Sequence, residues 1–141
     1  MDKPMSDTAP NARPPYRVLL LGAATPGWYA ADAEERRARA LPRLVEVCAG
    51  WADRGARLIT TLDDDILKVG QPAADDFTWY LVYEVDDLQT VSDMLHDFRI
   101  EVDGARLDRW FRLEARICRP FFPIEPISQS AASRPVPAGQ Q

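Results

Sequence analysis

Apolar and polar positions follow two rhythms along this chain, and the order of the rhythms predicts its elements. Tyr16–Ala24 is a nearly continuous apolar run with Val18, Leu19, Leu20 and Leu21. Such a run predicts a strand covered on both faces. Thr25-Pro26-Gly27 breaks it. Asp32 then stands as an N-cap with Glu35 three positions on, opening a helix from about Ala33 to Arg54 that stops at Gly55. Leu41, Leu44, Val45, Cys48, Trp51 and Ala52 recur at helical spacing as its predicted buried stripe. Pro42 lies inside that stretch and must kink or split it. Ala56–Leu62 alternates as a second strand, with Ile66–Val69 as its continuation beyond the acidic run Asp63-Asp64-Asp65. Phe77–Val85 (FTWYLVYEV) is dense in aromatic and β-branched residues and predicts a third strand. Asp86 or Asp87 caps a second helix, about Leu88–Arg99, with a predicted stripe of Leu88, Val91, Leu95 and Phe98. Asp103-Gly104 is a turn signal, and Asp108–Cys118 alternates as the last strand.

Strand, helix, strand, strand, helix, strand is the order of an α+β, ferredoxin-like βαββαβ unit with an antiparallel sheet. Such a unit leaves one sheet face uncovered, which a second copy of the chain commonly covers. At 141 residues the chain predicts one domain with tails. Nine of the twelve prolines lie outside residues 16–118. Residues 1–15 and 128–141 are polar and Pro-rich and are expected as disordered tails around a domain at 16–127. Pro120–Ile127 (PFFPIEPI) is too apolar for a free tail and is expected against the domain or a partner subunit.

Composition narrows the function classes. A net charge of −5 argues against nucleic acid and against an anionic membrane surface. No apolar run reaches the roughly 18 residues of a membrane span, and Met1–Pro15 lacks an apolar signal core. Cys48 and Cys118 do not make a disulfide framework, so a cytoplasmic protein with reduced thiols is expected. No glycine-rich phosphate loop, GxSxG or dinucleotide fingerprint is present, so no bound cofactor is expected.

Candidate chemistry concentrates on the last strand and the acidic run. Period-2 alternation puts Trp110, Arg112, Glu114 and Arg116 on one face of the last strand. They form either an Arg–Glu–Arg ladder lining a dimer interface or a clamp in which Arg112 or Arg116 holds a substrate carboxylate. In an extended segment Asp63 and Asp65 share a face and Asp64 points away. The pair reads as a turn, or as a general base raised toward neutrality by an apolar surround such as Trp79, Tyr80 and Tyr83. Two carboxylates make a poor metal site, and no metal is expected. His96, the single histidine, is a solvent-edge residue or an acid–base group in a cleft. Trp79, Tyr80 and Trp110 would shape a pocket for a flat ligand, although most of the chain's rings suit a core. Cys48 is expected as inert packing, and no nucleophilic role is expected of Cys118.

With these elements placed, about Tyr16–Phe122 resembles the dimeric α+β barrel superfamily, ferredoxin-like units that pair through their sheets. Three stretches, TLDDDILKVG (Thr61–Gly70), FTWYLVYEVDDLQTV (Phe77–Val91) and LDRWFRLEARICRPF (Leu107–Phe121), are similar to a small protein encoded in bacterial indole-3-acetate degradation clusters. The resemblance implies a homodimer acting without cofactor on a small aromatic or cyclic acid, by proton transfer, isomerisation, hydration or oxygenation. It implies equally a non-catalytic carrier or accessory to a partner oxygenase. Asp63, Asp65 and His96 are the candidate catalytic residues, and Trp79, Tyr80, Trp110, Arg112 and Arg116 the candidate substrate contacts.

Overall fold

The computed structural model describes residues 13–71 and 77–124. The expected tails at 1–15 and 128–141 therefore lie outside the described residues, except for positions 13–15. The element order is β1 (Tyr16–Ala24), α1 (Pro26–Ala30), α2 (Ala33–Glu35), a π-helical turn (Arg36–Ala40), α3 (Leu41–Gly50), a 3₁₀ turn (Trp51–Arg54), β2 (Arg57–Asp63), β3 (Trp79–Val85), α4 (Leu88–Asp97), a second 3₁₀ turn (Leu107–Arg109) and β4 (Phe111–Cys118). It is an α+β fold around one four-stranded antiparallel sheet in the order β2-β3-β1-β4.

The helical run at 33–54 begins and ends as its residues dictate. The Asp32 carboxylate accepts the Glu35 backbone N–H at 2.8 Å, and Gly55 ends the run in the left-handed region at φ 91°. Pro42 has no N–H to give and its ring crowds the preceding turn. The chain answers with the π-helical turn just before it, where the Leu41 N–H reaches back to the Arg36 carbonyl, and the helix widens without breaking. Its buried stripe is Ala40, Leu44, Val47, Cys48 and Trp51, of which Leu44 and Cys48 are half-buried, whereas Leu41, Val45 and Ala52 of the expected stripe face solvent. In α4, capped by the Asp87 carboxylate on the Gln89 N–H, the buried positions are Val91 and Met94, with Phe98 just beyond. Met94 takes the place expected of Leu95, and Leu88 is exposed.

β1 and β2 both run antiparallel to β3, so they are parallel to each other, with the 33–54 helical run connecting them. β3 and β4 are likewise parallel, connected by α4. Right-handed crossovers between strands pointing in opposite directions and stepping in opposite senses place both connections on one side. One core cluster accordingly joins Val18 and Leu20 of β1, Tyr83 and Val85 of β3 and Phe111 of β4 to Val47, Trp51, Val91, Met94 and Phe98. Trp51 meets the Tyr83 ring edge-on at 5.7 Å and stacks on Phe98 at 6.0 Å. Its indole N–H donates to Asp97 Oδ2 at 2.9 Å, and Arg54 holds the same carboxylate through two bonds of 2.8 and 2.7 Å. Among the described residues the opposite sheet face has only a small cluster, Leu21, Ala23 and Phe77, with Leu19 and Tyr80 half-buried against it. β1 is thus covered on both faces only toward its C-terminal end.

Several expectations change. Every residue of β2 is exposed, because it is an edge strand that the helices do not reach. Ile66–Val69 does not resume the strand, and its apolar side chains face outward, with Ile66 98% exposed. Phe121, Phe122 and Ile124 do not lie against the domain; Phe122 is 86% exposed, and Glu125–Ile127 lie outside the described residues. Trp110 does not stand at the end of the charged face of the last strand. The strand begins one residue later, and Trp110 is wholly buried on the helix side with its N–H on Glu35 Oε2 at 2.7 Å.

Two glycines are required by close approach. The Trp79 indole lies flat over Gly22, where a Cβ would sit 2.0 Å from the ring, and a Cβ on Gly27 would sit 2.1 Å from the Arg109 carbonyl oxygen. That carbonyl also accepts Thr25 Oγ1 at 2.5 Å and belongs to backbone that cannot swing aside. Gly27→Ala is expected to cost about 1–3 kcal/mol, read as a lowered melting temperature. An unchanged melting temperature would show that α1 is free to shift. Burial pushes the Cys48 thiol up to about 12. Its folded value is above its unfolded one, so this contribution to stability is intact below about pH 9 and fades as pH rises. A thiol reagent at neutral pH should label the exposed Cys118 quickly and Cys48 only on unfolding; two fast equivalents would contradict this burial.

Candidate functional site

Side chains that face away from the helices converge at the end of the sheet where β1 finishes. Cross-strand pairing puts Leu62, Tyr80, Leu21 and Glu114 in one row on this face, and Thr60, Val82, Leu19 and Arg116 in the next. The Tyr80 hydroxyl donates to Asp64 Oδ2 at 2.8 Å and also lies 3.1 Å from the Phe77 carbonyl. The Arg112 guanidinium sits over the Phe77 ring at 4.4 Å, an attraction of cation and ring face. Asp64, Tyr80, Phe77 and Arg112 therefore form a continuous chain of contacts across the sheet, floored by Leu21 and Ala23.

Asp64 reaches this face because of a bulge in β2. Leu58 opposes Tyr83 and Thr60 opposes Val82, so Ile59 is an extra residue. One extra residue exchanges the faces of everything after it. Leu62 and Asp64 turn toward Tyr80, while Asp63 falls in the row of Trp79. The acid that contacts the site is thus Asp64, which lay outside the predicted pair. Asp63 Oδ1 instead accepts the Asp65 N–H at 3.2 Å, both side chains exposed, and Lys68 Nζ is 3.6 Å from Asp64.

The predicted residues do not gather at one place in the protomer. Asp63 and Asp65 lie at the β2 edge, while Arg112 and Arg116 lie on β4 at the other edge, three strand spacings or roughly 14 Å away. Trp79 is on the helix side, in edge contact with Phe111 at 6.3 Å, and Trp110 is buried there too. His96 is on the outer face of α4, beside Asp93 and Arg99 in a shallow polar cleft, on the far side of the sheet from Tyr80. Tyr80 and Arg112 are the two predicted residues that join in the contact chain. Arg116 Nε donates to Glu114 Oε2 at 2.7 Å, one rung of the expected ladder. A second cleft, about 340 Å³, runs along the β4 edge between Leu95, Phe98, Arg99, Asp108 and Phe111–Leu113. Among the described residues no group of three or more His, Cys, Asp or Glu side chains converges as a metal site, and no helix is long and apolar enough to cross a membrane.

The electrostatics of the contact chain favour a proton-holding phenol. The hydrogen bond to Asp64 raises the Tyr80 pKa, with desolvation and the charge of Asp64 adding to it. A raised folded value means that this bond contributes below the ordinary tyrosine pKa and is lost as pH climbs through the folded one. Tyr80 therefore keeps its proton at neutral pH and presents it toward a carboxylate. Difference titration of the wild type against Tyr80→Phe should find this phenol ionising above the ordinary tyrosine range. Asp64→Asn should move it down; no movement would mean that the bond does not persist in solution. Comparison of the chain with known protein families finds no matching family model, and no curated protein matches it significantly.

Proposed function

We propose that this protein is a ferredoxin-like unit that pairs through its sheet as a dimeric α+β barrel. In this reading it acts without a bound cofactor on a small aromatic or cyclic acid. The observation that carries the reading is the contact chain on the face opposite the helices. It sets a fixed guanidinium, Arg112, and a proton-bearing pair, Tyr80–Asp64, at two ends of an apolar floor. Arg112 would hold the ligand carboxylate, Phe77 and Leu21 would contact its ring, and Tyr80 with Asp64 would deliver or accept a proton. This assigns the base to Asp64 in place of Asp63 and Asp65. His96 and Trp110 lie away from this face and take no part in it.

A carrier or accessory role for a partner oxygenase is the second reading. It is favoured by the small number of polar groups on the floor, since a carrier needs the pocket alone. Proton movement within an activated ring, as in isomerisation, suits the Tyr80–Asp64 pair more directly than hydration or oxygenation. A role in indole-3-acetate catabolism in the cytoplasm is the biological setting that the sequence resemblance suggests.

Small aromatic acids, with indole-3-acetate and its oxidised derivatives among them, should raise the melting temperature of the purified protein by mass action. Arg112→Leu should abolish the shift, and Tyr80→Phe should keep the shift while abolishing turnover. No shift across the panel from a folded protein refutes the acid-binding reading. A shift without turnover, with stimulation of a partner enzyme, selects the carrier.

A further inference from the structure

Two exposed patches occupy diagonally opposite corners of the sheet. β2 ends where β1 ends, since Asp63, Trp79 and Gly22 share a row, and it is one edge of the sheet. β4 ends where β1 begins, since Cys118 opposes Arg17, and it is the other edge. At or just beyond the first corner lie Leu62, Ile66, Leu67 and Val69, all exposed, with three consecutive carboxylates, Asp63 to Asp65, and Lys68. Just beyond the second lie Phe121, Phe122 and Ile124, also exposed, with Arg119, while Arg116 and Glu114 stand on the end of β4 itself. The first corner is apolar and net acidic; the second is apolar and net basic. Phe121 and Phe122 meet edge-on at 6.2 Å and touch no other aromatic ring among the described residues.

We infer that a second copy of this chain covers the open face with its basic Phe121–Ile124 corner seated on the acidic Leu62–Val69 corner, so that each copy completes the Tyr80–Asp64 end of the other's site. The inference rests on the homodimer proposed above and specifies its geometry. A two-fold axis lying between the two sheets, parallel to them and perpendicular to the line that joins the two corners, superposes each corner of one copy on the opposite corner of its partner. The contact is then made twice and closes on itself. The half-buried Leu19 and Val82 lie in the middle of this face and are covered by the same movement. The matching of acidic to basic corner fixes the orientation, because superposing a corner on its own kind sets like charges together.

Cross-linking tests the orientation. In a Cys118→Ser background, Leu67→Cys is made in one preparation and Phe122→Cys in another. Both positions are highly exposed, so neither change disturbs the core. Oxidising the mixture should give a covalent heterodimer in much greater yield than either preparation gives alone, because a disulfide requires Cα atoms within about 7 Å. Charge reversal supplies the second readout: Asp65→Arg and Arg119→Asp should each weaken the dimer, and their combination in one chain should restore it. A dimer by sedimentation that shows neither the 67–122 cross-link nor the charge rescue overturns the corner pairing and leaves the dimer standing. A monomer at all concentrations overturns both.

Discussion

Both helical connections lie on the same side of a four-stranded sheet, and the rest of the molecule follows from that. β1 to β2 and β3 to β4 are two crossovers of like hand between strands of opposite direction. They spend the chain's helical apolar surface on one face. Trp51, Trp110, Met94 and Leu107 are wholly buried there. Among the described residues the other face buries only Leu21, Ala23 and Phe77, with Tyr80 beside them near one end, and there a carboxylate, a phenol, an aromatic ring and an arginine follow one another in a chain of contacts.

Two tryptophans do more than fill the helix-side core. Each has one N–H that burial would leave unsatisfied, at a cost of about 1–3 kcal/mol. Trp51 reaches Asp97 from one helical segment to the other, and Trp110 reaches Glu35 from the start of β4 to the helix N-terminus. These bonds join elements distant in sequence at defined points. They also consume Glu35, which therefore does not complete a capping box, and Asp97, which Arg54 grips as well.

The antiparallel α+β sheet, the Asp32 and Asp87 caps and the stop at Gly55 were legible because each rests on local chemistry in the sequence. The acid of the site was not. Straight alternation from Arg57 sets Asp63 on the face of Arg57 and Asp64 on the other. The extra residue at Ile59 reverses that assignment, and no Gly or Pro marks the bulge in RLITTLD. Trp110 was misplaced for a related reason: alternation was carried three residues before the true start of β4, across the end of a 3₁₀ turn and its C-cap Trp110, where period 2 no longer holds. The stripe of α4 runs through Val91, Met94 and Phe98, with Leu95 half-buried beside it and Leu88 exposed, because Met94 and Leu95 both stand at helical spacing from Val91 and the sequence pattern alone does not choose between them. Which residues meet on the open face depended on a one-residue register.

The bulge at Ile59 has a bearing on solubility as well. β2 is an edge strand with Leu58, Ile59 and Leu62 exposed, and a smooth edge of that composition is a template on which further strands stack without end. With two residues opposing one, the outward row of amides and carbonyls loses its even spacing and the strand twists locally. An incoming strand can match the ladder on one side of Ile59 or the other, not on both. The same irregularity that aims a carboxylate at Tyr80 thus leaves the edge a poor seed for fibres, and lets an apolar border remain exposed without growing.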